Sequence, residues 1–269
     1  MFENMAMFEN ILVTNDDGVD ADGLAALVQS ARHAFPSARI IVAAPDGPRS
    51  ECSHSVRTGG PIKVSRVKDD WFSIAGTPVN CVRVALSTLI PDADLVLSGI
   101  NAGANLGVDL LVSGTVAAAR EASLWNRAAI AISQYRRPEW PRDTDHMSPW
   151  LQPIFRSFAE TVREDRVPDA SVSDRQRSNR DASDDSEIAR GPLWNVNLPA
   201  VMTDDAVPPI SFCSVDPNPI PSVPSIRDDH YVAEVDFHGR PRDPGSDVDR
   251  CFGGEITITR LSGWPFHRE

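Results

Sequence analysis

Short apolar runs separated by helical patterns constrain this chain most. Ile11–Thr14, Ile40–Ala44, Leu95–Ser98 and Ala129–Ser133 are rich in Ile, Val, Leu and Ala. Runs this short, without polar alternation, read as parallel strands covered on both faces. Between them, Asp22 can cap a helix to about Ala34, with Leu24, Leu27 and Ala31 on one face. Thr77-Pro78 supplies an N-cap and an N1 proline for a helix to about Leu89. Ser113-Gly114-Thr115 opens an Ala-rich helix to about Trp125. Ile62–Val67 and Trp71–Ala75 add two further strands. The expected class is α/β, a doubly wound, mostly parallel sheet with helices on both faces.

The rest of the chain is different in kind. Residues 1–134 hold 10 of the 16 Gly and 6 of the 22 Pro, so most prolines fall in the second half. There Trp150–Arg163 reads as a helix and Trp194–Leu198 as a strand. Glu164–Arg190, rich in Asp, Arg and Ser, reads as a disordered insertion or long surface loop. Pro208–Ser225 reads as irregular, and Tyr231–Phe237 and Glu255–Leu261 as half-exposed strands. The expected organisation is an N-terminal extension over 1–10, a core over 11–200 and an irregular β-rich extension over 201–269.

The net charge is −12, from 38 acids against 26 Lys and Arg. That argues against broad binding to nucleic-acid polymers or anionic membranes, which needs a basic face. A small anion stays possible if a cation bridges it to the acids. Four Cys without a CxxC pair, no signal-peptide pattern and no apolar stretch near 20 residues point to a reduced, cytoplasmic protein.

In a doubly wound sheet the site lies at the carboxyl ends of the strands. That rule selects Asn15–Gly18, Pro45–Ser55 and Gly99–Thr115. Asp16 and Asp17 repel each other at a strand end, and a divalent cation compensates them. The same tripeptide with Gly18 also serves as a solvated turn. Ser50 and Asn101 lie in loops after other strands, and with the two Asp they form an all-oxygen set suited to Mg²⁺ or Mn²⁺. Separately, each also fits an ordinary loop position.

Ser98–Gly107 is glycine-rich, yet neither GxxxxGK[ST] nor GxGxxG occurs. Ser113, Gly114 and Thr115 put hydroxyls and free N–H groups at a helix start, which suits a phosphate or simply a cap. His54, near Ser50, is a candidate proton donor or a surface histidine. The other histidines show no metal-ligand spacing.

Together these segments resemble one family. Ile11-Leu-Val-Thr-Asn-Asp-Asp-Gly18, Ala44-Pro-Asp46, Arg49-Ser50, His54-Ser55, Gly76-Thr-Pro78, Ser98-Gly-Ile-Asn101, Asn105-Leu-Gly107 and Ser113-Gly-Thr-Val116 are similar in order and spacing to the SurE survival-protein nucleotidases. Asn195-Val-Asn-Leu-Pro199 extends the match. The resemblance implies a Rossmann-like core with a smaller β-rich C-terminal extension. It implies hydrolysis of nucleoside monophosphates with one divalent cation per subunit, held by Asp16, Asp17, Ser50 and Asn101. Asn105, Ser113, Gly114 and Thr115 would bind the phosphate. It also implies a homodimer or homotetramer, although the chain ends where the family has a C-terminal helix. Ser53, beside Cys52, stands where the family has glycine.

The leading expectation is hydrolysis by cation-activated water, with Asp16 or Asp17 accepting a proton and His54 donating one. Two alternatives stand beside it. One is a phosphatase with an aspartyl-phosphate intermediate, although the Asp-x-Asp spacing is missing. The other is a nucleotide-binding regulator with weak catalysis.

Overall fold

The computed structural model describes residues 7–50, 52–137, 147–166, 190–200, 206–227 and 229–263. Its strands are β1 (Asn10–Thr14), β2 (Arg39–Pro45), β3 (Val64–Lys68), β4 (Trp71–Ile74), β5 (Leu95–Asn101), β6 (Ala128–Gln134), β7 (Leu193–Leu198), β8 (Ile210–Phe212), β9 (Ser222–Arg227), β10 (His230–Val235) and β11 (Ile256–Leu261). The helices are α1 (Asp22–Ala34), α2 (Pro78–Val84), α3 (Gly114–Leu124), α4 (Met147–Arg166) and α5 (Asp247–Phe252).

Nine strands form one sheet in the order β3-β4-β2-β1-β5-β6-β7-β11-β8. From β4 to β7 the neighbours are parallel, β3 pairs antiparallel with β4, β11 pairs antiparallel with β7, and β8 runs parallel to β11. One face, with Ile11, Val13, Leu97, Ile130 and Trp194, packs with α1 and α4 residues such as Leu24, Leu27, Leu151 and Phe155. The other, with Leu12, Ile41, Val96 and Ala129, packs with Val82, Val116 and Ala119 of α2 and α3. Covering both faces is what makes the central strands continuously apolar in sequence.

After β1 the chain builds outward to β2 and β4, and then returns to add β5, β6 and β7 on the other side of β1. The direction reverses between β1 and β5, where Thr14 is in register with Ser98. A crevice opens beyond the carboxyl ends of strands at such a reversal.

Several expectations change. The N-cap of α1 is Ala21, with no side-chain cap; Asp22 sits in the first turn, where its charge still meets the helix N-terminus. The α2 cap is as expected, with Thr77 and Asn80 reciprocally bonded in a capping box. Glu164–Arg166 ends α4, while 167–189 of the expected loop lie outside the described residues. Pro208–Ser225 contains β8 and the start of β9. β9 and β10 form a separate antiparallel hairpin, and all of β10 is exposed rather than half-buried. β11 is buried over Ile256–Thr259, because β7 and β8 flank it and its polar Thr257 and Thr259 face inward. No helix among the described residues is long and apolar enough to cross a membrane.

Candidate active site

β1 stops at Thr14 because Asn15 closes a turn. Its Nδ2 donates to the Gly18 carbonyl at 2.9 Å, and its Oδ1 accepts from the Gly18 N–H at 3.2 Å. Gly18 has φ +107°, and a Cβ there would meet the Gly47 backbone at 3.1 Å. The turn frees Asp16 and Asp17 from strand alternation.

The two carboxylates go to different neighbours. Asp16 is buried, and its Oδ1 accepts a hydrogen bond from Thr115 Oγ1 at 2.5 Å. Asp17 is half-buried, and its Oδ2 accepts from the Ala102 N–H at 3.2 Å, just past β5. These bonds tie β1 to the start of α3 and to the end of β5. Burial pushes the Asp16 carboxyl up to about 6; the Thr115 bond opposes the shift and the Asp17 charge adds to it. Among the described residues, no Lys, Arg or His pairs with either carboxylate.

Ser50 is exposed and follows Arg49, whose backbone N–H donates to the Asp16 carbonyl at 2.8 Å. Asn101 ends β5, and its Nδ2 donates to the Gly103 carbonyl at 2.8 Å. Among the described residues no protein donor takes its Oδ1. The oxygen set that could hold a cation is therefore two carboxylates, one hydroxyl and one amide. It is not a His, Cys, Asp and Glu cluster; among the described residues no group of three or more such side chains could hold a metal.

At the start of α3, Ser113 is the N-cap and its Oγ accepts from the Val116 N–H at 3.1 Å. A Cβ on Gly114 would lie 2.8 Å from Asp16 Oδ2, so only glycine lets the helix approach this closely. Thr115 is fully buried, and its hydroxyl is committed to Asp16 rather than open to a ligand.

Asn105 and His54 are bonded elsewhere. Asn105 is held from β6 and β7, through Ser133, Asn195 and Asn197. His54 Nε2 pairs at 2.9 Å with Glu121, two turns into α3 and roughly 9 Å along the axis from Thr115. Glu121 is buried, and its other oxygen accepts from Arg83 Nε at 2.6 Å and Trp125 Nε1 at 2.9 Å. Burial raises the Glu121 carboxyl, but bonds from His54, Arg83 and Trp125 outweigh it and hold it at about 2. Among the described residues His54 makes no hydrogen bond to the Asp16 group.

Comparison with known proteins settles the family. The profile described as Survival protein SurE matches residues 11–218. The chain belongs to the SurE family. It is 44% identical over 270 residues to the 5′-nucleotidase SurE of Maridesulfovibrio salexigens, covering 94% of this chain and 92% of that one. It is 31% identical to the 5′-nucleotidase SurE of Geobacter sp., over 93% of this chain and 92% of the other. The crystal structure of the SurE protein from Aquifex aeolicus superposes with a TM-score of 0.74 at 24% identity, covering 96% and 94% of the two chains. That superposition supports the α/β fold itself.

Ser53 has φ +50°, a left-handed conformation that favours glycine. Its Oγ donates to the Leu111 carbonyl at 2.7 Å, and its N–H to the Val112 carbonyl at 3.2 Å. These bonds tie the loop carrying Ser50 to the turn before Ser113. The sequence marks Asn15 only as part of the Asn15–Gly18 segment and Asn195 and Asn197 only as part of the segment that extends the family match, without a role for any of them, and it does not mark Glu121. Asn15 has a readable signal, an Asn three residues before a turn glycine. Glu121 has none, because an acid in an Ala-rich helix reads as solvated.

Proposed function

We propose that this SurE protein hydrolyses nucleoside monophosphates to nucleoside and phosphate, using one divalent cation, Mg²⁺ or Mn²⁺, per subunit. The family makes it a nucleotidase. The observation that carries the cation dependence is Asp16: a buried carboxylate beside Asp17 at the reversal of the sheet, with no cationic side chain among the described residues paired to either. Two hard carboxylate oxygens, the Ser50 hydroxyl and Asn101 Oδ1 suit such an ion. When bound, it neutralises phosphate charge and lowers the pKa of water.

The chain's own residues supply the rest. Thr115 and Gly114 fix the Asp16 carboxylate in one orientation. Asp17, half-buried, accepts the proton of the attacking water. The Gly114 N–H, first in α3, has no intrahelical acceptor and lies at the positive end of the helix dipole. Ser113 keeps its hydroxyl hydrogen to donate to a phosphate oxygen, and Asn105 offers its amide. For His54 the Glu121 pair supports holding the Ser50 loop rather than donating a proton. Assembly as a homodimer or homotetramer rests on the family resemblance. The exposed Val223, Ile226 and Tyr231 of the hairpin are apolar surface such contacts would cover.

The test is phosphate release from a panel of 5′- and 3′-nucleoside monophosphates, with EDTA and with Mg²⁺ or Mn²⁺ restored. Release abolished by EDTA and recovered with the ion supports the reading. Release indifferent to EDTA contradicts it.

A further inference from the structure

We infer that Asn197, assisted by Asn195, is the positioning residue that holds Asn105 in place for phosphate. The inference rests on the reading that Asn105 contacts the phosphate.

β7 alternates. Trp194, Val196 and Leu198 belong to the core with α1 and α4, so Asn195 and Asn197 fall on the opposite face. Two fully buried amides in a strand need partners, because an unpaired buried amide is unfavourable. Asn197 finds them for both its oxygen and its nitrogen, and Asn195 for its Nδ2, in a loop some 90 residues earlier in sequence. Asn197 grips the Asn105 peptide at two points: its Oδ1 accepts from the Asn105 N–H at 2.9 Å, and its Nδ2 donates to the Asn105 carbonyl at 2.9 Å. Asn195 Nδ2 donates to the same carbonyl at 3.0 Å.

The side chain is fixed as well. Asn105 Nδ2 donates to Ser133 Oγ at 2.8 Å, and Ser133 stands beside Asn197 in the register of β6 and β7. Both backbone groups of Asn105 and one of its two amide hydrogens are thus engaged by three side chains from two adjacent strands. The remaining amide hydrogen is the one left to donate outward. With its peptide and its amide plane both held, Asn105 cannot swing its carbonyl oxygen toward an anion without breaking the Ser133 bond. Asn197 is fully buried with its amide oxygen and nitrogen both bonded to Asn105, so it acts through Asn105. This gives Asn197 a physical reason, since a side-chain amide carries an acceptor oxygen and a donor nitrogen side by side, matching the N–H and carbonyl of Asn105.

The experiment compares wild type, Asn197→Ala, Asn195→Ala and Ser133→Ala in the full chain. Each is read by thermal melting, by the Mn²⁺ concentration that half-restores the EDTA-treated protein, by KM for one nucleoside monophosphate, and by the inhibition constant of inorganic phosphate. Asn197→Ala is expected to weaken phosphate inhibition and raise KM about tenfold or more, while the Mn²⁺ midpoint moves less than twofold. Asn195→Ala is expected to follow in the same direction by less, because one donor to the Asn105 carbonyl remains. A purely structural role would lower the melting temperature and leave the phosphate constant of the folded protein unchanged. That result in Asn197→Ala overturns the inference. Should Asn197→Ala not fold, Ser133→Ala and Asn195→Ala decide the question: unchanged phosphate constants in both overturn the inference. A wild type that neither hydrolyses nucleotides nor is inhibited by phosphate overturns the proposed function, and the inference with it. A wild type that does both, with unaffected variants, overturns only the role of Asn197.

Discussion

The Thr115 hydroxyl donates to Oδ1 of Asp16 at 2.5 Å, joining the first turn of α3 to the loop after β1. Both groups are buried, so the bond orients the carboxylate with little competition from water. Thr115→Val keeps the shape and removes the donor. Outer partners of metal-binding carboxylates typically contribute roughly 10–100-fold in affinity or activity. The expected outcome is a loss of Mn²⁺ affinity in that range, measured by titration of the EDTA-treated protein, with an unchanged circular-dichroism spectrum.

Gly114 tests the same contact sterically. Gly114→Ala puts a Cβ at 2.8 Å from Asp16 Oδ2 and 2.9 Å from its Cβ, so one of the two must shift. Alanine otherwise suits a helix at least as well as glycine. Turnover is expected to fall by at least tenfold while the melting temperature changes little. Kinetics beside a thermal melt check this; full activity would show that Asp16 needs no fixed position.

The raised Asp16 carboxyl has a consequence for the cation-free protein. The folded state keeps its proton up to about pH 6, whereas the unfolded chain releases it near 3.8. Between those values the folded state binds the extra proton, so this contribution to stability is present below 3.8 and is lost as pH rises through about 6. The loss is on the order of 3 kcal/mol. Urea unfolding in EDTA from pH 4 to 7 is expected to show wild type losing stability relative to Asp16→Asn. Parallel curves would contradict the burial of this carboxyl. Added Mn²⁺ should restore wild type more strongly at pH 7 than at pH 5.

Glu121 has the opposite sign. Its carboxyl is held at about 2 in the fold, against an ordinary 4.5. Its contribution is present above 4.5 and is lost as pH falls toward about 2. Glu121→Gln leaves His54 and Arg83 facing a neutral amide and is expected to cost about 2–4 kcal/mol at pH 7. The difference from wild type should shrink by pH 3 in urea unfolding.

The sheet is readable from sequence because strands buried on both faces carry no polar alternation. Ile11–Thr14 and Leu95–Ser98 show this, and both lie in the central parallel strands. The turn at Asn15–Gly18 is equally legible, since its bonds span three residues. β11 misleads because Thr257 and Thr259 alternate with isoleucines as in a half-exposed strand, yet they lie buried on the Asn195 and Asn197 side. The holders of Asn105 and the partner of His54 are hidden for another reason. Glu121 and Asn197 are 67 and 92 residues from the groups they touch, and local pattern says nothing about contacts at that range. Thr115 reads as a phosphate ligand in sequence because a hydroxyl at a helix start fits either role. Only the burial of Asp16 beside it shows where the hydroxyl goes.

The proposed dependence of phosphate release on a cation held at Asp16 has one decisive check. It is tested most directly by measuring phosphate release and Mn²⁺ binding by Asp16→Asn beside wild type, in one buffer and with one nucleoside monophosphate. The expected result is wild-type release that is lost in EDTA and regained with Mn²⁺. In the folded variant, Mn²⁺ binding should be weakened and turnover lowered by orders of magnitude. A folded Asp16→Asn that releases phosphate at the wild-type rate, with the same Mn²⁺ requirement, would contradict it.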